Sequence, residues 1–163
     1  MADDLILKLT GKTQGKIAGE SGKQNHIGEI DIQSVNWGMV SPGSSHRGGG
    51  GGTGEVTFSD VSFTKAVDGA SNGIQLALFT GEVITEAVIY CRKQGGKQQE
   101  YLTVTLKDAV VTNYSISMGA GGVPHESFSL NEAKYEFVYK VQKDADGTLG
   151  GGKTVAWDIK LGA

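Results

Sequence analysis

Cysteine is nearly absent from this 163-residue sequence. The lone thiol, Cys91, excludes an internal disulfide. Proline occurs only twice, so the chain is not a proline-rich linker. The three histidines, His26, His46 and His125, sit in separate glycine-rich polar segments, and no pair has the short ligand spacing that a metal site needs. No apolar run approaches the length that crosses a bilayer, and no membrane insertion is expected. The start, "MADDLILKLTGK", is acidic where a secretory signal would be basic, and it lacks a long apolar centre. The expectation is synthesis in a cytoplasm, with any export by a route other than signal-peptide cleavage. A formal charge of −3 gives no long-range attraction for nucleic acid or an anionic membrane.

Glycine, in contrast, is abundant at 26 residues, well above the usual share of about 7%. It falls between stretches of apolar alternation, the pattern of strands joined by turns. "DLILKL" puts Leu5, Leu7 and Leu9 on one face, and "IGEIDIQSVNW" reads as a longer strand ending near Trp37-Gly38. Ser41 to Gly54 carries seven glycines and one proline, which predicts a long loop without a regular element. In "EVTFSDVSFTK" the phase slips: Val56 and Phe58 share one parity, Val61 and Phe63 the other. A β-bulge near Ser59-Asp60 would realign them, and a similar slip in "SFSLNEAKYEFVYKV" predicts a second bulge. The one helix is expected within "DGASNGIQLALFTG", capped by Ser71 or Asn72, with Ile74 and Leu78 in its buried stripe and Gly81 ending it. Further strands are expected at "ITEAVIYCRK", "EYLTVTLKD", "VVTNYSISM" and "TVAWDIKL", the last aligning Val155, Trp157, Ile159 and Leu161. The sum is roughly eight strands and one short helix in a single domain over 1–163: an all-β barrel or two-sheet barrel.

One motif invites a different conclusion. "GTLGGGKT", Gly147 to Thr154, fits the phosphate-loop pattern G-x-x-x-x-G-K-[ST]. That cradle needs a helix N-terminus after the glycines. Here Thr154 opens an alternating strand and only nine residues remain, too few for a helix and the several further strands that would carry a Mg²⁺-organising Asp. The glycines read instead as a hairpin loop, and Lys153-Thr154 as incidental.

The remaining chemistry is equally sparse. "DADG", Asp144 to Gly147, lacks the alternating oxygen ligands and closing Glu of a calcium loop and reads as a polar turn. "SSHR", Ser44 to Arg47, sets hydroxyls beside an imidazole, but a glycine run gives no rigid turn, oriented base or oxyanion hole. Cys91 shares parity with Ala87 and Ile89 and reads as a buried structural thiol; Trp37 and Trp157 read as core or interface aromatics. No catalytic, cofactor-binding or metal-binding residue is assigned, and the chain is not expected to be an enzyme. The alternative is a monomeric soluble β-barrel enzyme or ligand carrier, with a glycine-rich loop as its lid over an enclosed pocket.

A larger pattern connects these segments. "GES" at Gly19 to Ser21, His26, "IDI" at Ile30 to Ile32 and "WGM" at Trp37 to Met39 stand in order. They are followed by Ser44, His46, the run Gly48 to Gly52 and "FTK" at Phe63 to Lys65. "RKQGG" from Arg92, "EYL" from Glu100, Leu106-Lys107 and Trp157 to Ile159 continue the series. Taken together the chain resembles the hemolysin-coregulated protein family, the tube proteins of bacterial type VI secretion, along almost its whole length. The resemblance implies a small barrel flanked by a helix, six copies in a ring, and rings stacked into a hollow tube. It implies as partners further copies of the chain, a spike, a contractile sheath, and small effectors carried in the lumen. The final strand runs to the end of the sequence, so no C-terminal effector domain is expected.

Two sets of residues acquire expected roles from that resemblance. Ser34 and Asn36 interrupt the apolar pattern of a strand that lines the channel in the family, and are expected to face the lumen. Ser44, Ser45, His46, Arg47 and Gly48, Gly49, Gly50 and Gly51 form the centre of the long loop. Structureless loops of that length are uncommon unless functional, and its His-Arg tip is cationic; it is expected to contact neighbouring subunits or rings.

Overall fold

The computed structural model describes residues 3–42, 55–93, 98–142 and 149–163. Among them the chain forms twelve strands and a single helix, the all-β class expected, with the anticipated strands subdivided. The first five strands are β1 (Asp4–Gly11), β2 (Gly15–Ile17), β3 (Ile30–Ile32), β4 (Ser34–Asn36) and β5 (Met39–Val40). Next come β6 (Thr57–Phe58), β7 (Val61–Ala66), helix α1 (Ser71–Thr80) and β8 (Ile84–Arg92). The chain ends with β9 (Glu100–Ser117), β10 (His125–Asn131), β11 (Lys134–Gln142) and β12 (Leu149–Asp158).

Every described pairing is antiparallel. β1 pairs with β2 and β3 on one side and β8 on the other; β8 leads to β9, then β11, then β12. The far half of β9 carries a second sheet, β9-β10-β7-β4. Among the described residues the wrap does not close by a ladder. Its two ends are joined by the chain itself at Gln33, between β3 on β1 and β4 on β7, where the Gln33 amide donates to Thr64 O at 2.8 Å. Leu7, Leu9, Ile84 and Leu106 from one sheet meet Phe63, Phe128 and Leu130 from the other, all fully buried. Phe63 and Phe128 stack with centroids 4.8 Å apart.

The phase slips turn out to be corners between sheets. At Ser59-Asp60 the chain leaves the two-stranded β5-β6 ladder and enters the β4-β7-β10 sheet, so the expected bulge is instead a break. Ser59 fixes that corner, its amide donating to Gly38 O at 2.9 Å and its Oγ accepting from the Gly38 amide at 2.8 Å. At Glu132-Ala133 the second expected bulge is likewise a break, where β10 in one sheet gives way to β11 in the other. Gln33 is a third corner, with Ile30 and Ile32 buried before it and Val35 facing the core after it. Conversely, "EYLTVTLKD" and "VVTNYSISM" are one continuous strand. β9 changes sheets at Asp108, whose φ of 52° turns buried Val104 and Leu106 into phase with buried Ala109 and Val111. Burying one face in each sheet requires such a re-phasing, because strand side chains alternate strictly.

The helix starts where expected but is capped differently. Its N-cap is Ala70, without a side-chain cap bond. The Ser71 hydroxyl is engaged elsewhere, accepting from the Asp68 amide at 3.0 Å and donating to Glu126 at 2.7 Å. Asp68 supplies the nearby turn, accepting from the Ala70 amide at 2.9 Å. Gly81 ends the helix in the left-handed region at φ 68°, a conformation that costs glycine nothing.

The last strand departs most from expectation. β12 begins at Leu149, so Gly150 to Lys153 belong to a ladder with β11 rather than to a hairpin loop. Gly152 lies against Val138, whose methyl would sit 3.1 Å from an added Cβ. Lys153 and Thr154 pair with Tyr139 and Val138, which excludes a phosphate cradle at this motif. The "DADG" turn falls on residues outside those described.

Candidate assembly surfaces

The β4-β7-β10-β9 sheet has two contrasting faces, set by period-two alternation and, in β9, by a register shift at Thr112 that puts buried Val111 and outward Asn113 on opposite faces. One buries Phe63 and Phe128. The other carries cross-strand rows of small polar residues. Ser34, Thr64, Ser127 and Ser115 form one row; Asn36, Ser62, Ser129 and Asn113 form the next; Ala66, His125 and Ser117 form a third. No Asp, Glu, Lys or Arg stands in these rows. The hydroxyls bond laterally, with Ser62 Oγ 3.0 Å from Ser129 Oγ and Ser115 Oγ 2.6 Å from Ser127 Oγ. Ser34 and Asn36 are both exposed on this face, at one margin of the grid. Among the described residues β4 pairs only with β7, and Val111 to Ser117 of β9 pair only with β10, so both margins keep an unpaired edge.

Directly behind the grid, charge is buried. Lys65 and Glu126, each at an apolar-parity position, form an ion pair with no solvent contact by either side chain. Lys65 Nζ also donates to Asp68 at 2.7 Å and Ala66 O at 3.0 Å. Tyr114 donates to the second Glu126 oxygen, and its hydroxyl is pushed well above the usual tyrosine range by burial, then by that carboxylate. The network ties the first turn of α1 to β7, β9 and β10.

The β11-β12 hairpin exposes the opposite kind of surface. Leu102, Val104 and Leu106 of β9 continue across β11 as Tyr139, Phe137 and Tyr135, and onto β12 as Val155 and Trp157. This is the core face of the sheet, but its cover runs out. Tyr135 is buried and touches Trp37 and Phe58, whereas Val155 is 58% and Trp157 39% exposed. Leu161, expected on the same face, is also exposed. These residues pack little within their own chain.

A third cluster fixes the connection between β2 and β3. His26 is buried, with Nδ1 2.7 Å from Glu29 and Nε2 2.5 Å from Glu100. Its ring contacts Tyr90. Gly19 lets the connection lie close, since an added Cβ would stand 2.6 Å from Glu29 O. Arg92, also buried, donates to Asp4 and to Gln24 O. Sequence reading missed this cluster, because its partners lie up to 88 positions apart. Cys91 is buried as expected and donates to Tyr101 at 2.8 Å. Burial pushes its thiol upward, away from thiolate reactivity. No group of three metal-ligating side chains occurs among the described residues.

Ser44, Ser45, His46, Arg47, Gly48, Gly49, Gly50 and Gly51 lie outside the described residues. The described strands on either side in sequence, β5 and β6, pair with Met39 opposite Phe58 and Val40 opposite Thr57.

Comparison with known proteins matches residues 6–139 to a family described as "Type VI secretion system effector, Hcp". The chain belongs to the Hcp family. It is 39% identical to Protein hcp1 of Pseudomonas aeruginosa, over 98% of this chain and 97% of that one. Hcp1 from Salmonella typhimurium shares 29% identity and superposes with a TM-score of 0.79 over 99% of this chain and 97% of that one. A structure described as a type six secretion system protein, 24% identical, shares the fold with a TM-score of 0.89 over 99% of both chains. Family membership connects this Hcp chain to type VI secretion; it also agrees with the chain-long series of motifs from Gly19 to Ile159.

Proposed function

We propose that this Hcp-family chain is a structural tube subunit and not an enzyme. Six copies close into a ring, rings stack into the inner tube of the type VI apparatus, and the lumen carries small effectors. The observation carrying this reading is the uncovered core face of the β11-β12 hairpin. A row that is buried at Tyr135 and exposed at Val155 and Trp157 is an incomplete interior, and burying such side chains is worth roughly 1.5–3 kcal/mol each. Heterologous contacts that close by rotation provide that cover in a ring. The uncharged polar grid, with an open edge at each margin, is suited to a lumen wall, where Ser34 and Asn36 would meet cargo without gripping it. Spike and sheath are the remaining partners in this reading, and the chain leaves the cytoplasm with the tube.

Light scattering and negative-stain imaging test the proposal. The native chain is expected at the mass of a hexamer with a ring outline. Val155→Ser with Trp157→Ser is expected to give monomers whose circular dichroism matches the native chain. A monomeric native protein at micromolar concentration would overturn the assignment and favour the monomeric carrier.

A further inference from the structure

Helix α1 turns a second apolar surface to solvent. Leu76 is 47% and Phe79 75% exposed, three positions apart and so neighbours on one helix face. The buried stripe of the helix lies elsewhere: Ile74 and Ala77 are fully buried, and Leu78 packs against the core. Leu76 and Phe79 therefore stand outside the chain's own interior. The outer face of a surface helix ordinarily carries charge. Yet Ser71 to Thr80 contains no Asp, Glu, Lys or Arg.

This helix and the β11-β12 hairpin stand at opposite margins of one sheet, whose strands run β2-β1-β8-β9-β11-β12. α1 lies over the β2 margin. The Gln14 side-chain amide, just before β2, donates to Gly73 O at 2.9 Å, and a Cβ added to Gly73 would stand 2.8 Å from Ile17. Val155 and Trp157 belong to β12, the other margin. The interstrand spacings between them add to about 24 Å along the sheet. A heterologous contact repeats by joining two different surfaces of the same unit, and a ring follows when the rotation closes. Both surfaces here are apolar and each offers a partly exposed aromatic ring, the kind of side chain that anchors such contacts. We propose that the Leu76–Phe79 face of α1 receives the Val155–Trp157 face of the β11-β12 hairpin from a second copy. The inference rests on the ring reading and names the two surfaces that meet at each joint of the ring.

Size-exclusion chromatography with light scattering tests it on the full chain, with circular dichroism as the check on folding. Leu76→Glu with Phe79→Glu is expected to lose the ring peak and keep the native spectrum, since both positions face solvent and glutamate suits a helix. Cross-linking reports the pairing itself. Thr80 and Lys153 are exposed beside the two faces, and Cys91, the native thiol, is buried. A short bis-maleimide is expected to turn rings of Thr80→Cys with Lys153→Cys into a covalent ladder that ends at the ring. Either substitution alone should give no more cross-linking than the native chain. Rings that persist with Leu76→Glu and Phe79→Glu would overturn the inference and leave the tube reading standing, with the helix face free for another partner. Doubly substituted rings that give no ladder would overturn it too, and this readout decides alone if the glutamates unfold the chain. A native chain without any ring peak defeats the tube reading itself, and this contact with it.

Discussion

Lys65 of β7 and Glu126 of β10 face each other across a strand pair, with neither side chain reaching solvent. Removing two ions from water is expensive, and their attraction offsets this only when the remaining donors and acceptors are satisfied. Asp68, Ser71, Tyr114 and the Ala66 carbonyl provide that satisfaction. Lys65→Met alone strands a carboxylate beneath the polar grid. It should destabilise the chain by about 3–5 kcal/mol, the range for breaking a buried pair. Lys65→Met with Glu126→Leu removes both charges and should recover a substantial part of that loss. Chemical denaturation at one fixed protein concentration measures both; equal losses in the single and double variants would contradict the ion-pair account.

That pair also shows what could be read from sequence. Lys65 shares parity with Val61 and Phe63, and Glu126 with Phe128 and Leu130, so a charge at an apolar position was the visible signal for each. Their partnership was not visible, because 61 positions separate them and one sequence does not encode which strands meet. The strand phases were legible at Ser59-Asp60 and Glu132-Ala133, but a slip in phase does not say whether a strand bulges or changes sheets. Asp108 hid the reverse case, a single strand that looks like two. Alternation placed Val155 and Trp157 on one face correctly, yet alternation cannot tell an own core from a neighbour's. Ser34 and Asn36 were recognisable as polar interruptions, while the rows completing their grid come from three other strands.

A second prediction concerns pH. Glu132, buried at the corner between β10 and β11, has one carboxyl oxygen without a hydrogen-bond partner among the described residues. Burial, with a smaller contribution from Asp60, holds its carboxyl above its usual value of 4.5. The native state thus binds this proton more tightly than the unfolded chain. Its effect on stability is favourable at low pH and is lost as pH rises from about the usual carboxylate value through the raised native one. Glu132→Gln should leave stability near pH 4 little changed and raise it at pH 8. Thermal melts of both forms across that range decide it. A variant less stable at pH 8 than the native chain would mean that the ionised carboxylate contributes favourably.

The polar grid leads to a third. Asn36 is exposed at its margin, opposite Ser62. Asn36→Arg should therefore keep the fold and the ring, changing thermal stability by no more than about 0.5 kcal/mol, as surface substitutions usually do. It should lower the amount of small effector that co-purifies with rings, because a bulky cation enters rows that otherwise carry only Ser, Thr, Asn, Ala and His. Quantifying the effector-to-ring ratio by mass spectrometry tests this. Full effector load on intact rings of the Asn36→Arg variant would place the cargo surface elsewhere.

The loop between β5 and β6 provides the fourth. Its base is secured without its tip: Met39 pairs with Phe58, Val40 with Thr57, and Ser59 bonds Gly38 on both sides of the peptide. A two-residue connection in place of Ser44 to Gly51 should therefore leave this ladder, the core behind it and thermal stability largely unchanged. Closing a shorter loop costs less chain entropy, so the melting temperature should stay level or rise slightly. What the shortened chain gives up is the His46-Arg47 pair and part of the glycine run, which are proposed to contact neighbouring subunits or rings. Rings should still form, since the Val155-Trp157 face is untouched, while stacked tubes and type VI secretion should be lost. Arg47→Glu in the full-length loop separates charge from reach: if the tip meets acidic groups on an adjacent subunit, that single reversal should reproduce most of the defect. Shortened chains that still build tubes and support secretion would reduce the loop to a connector, and the glycine run would then reflect nothing more than tolerance at the edge of the fold.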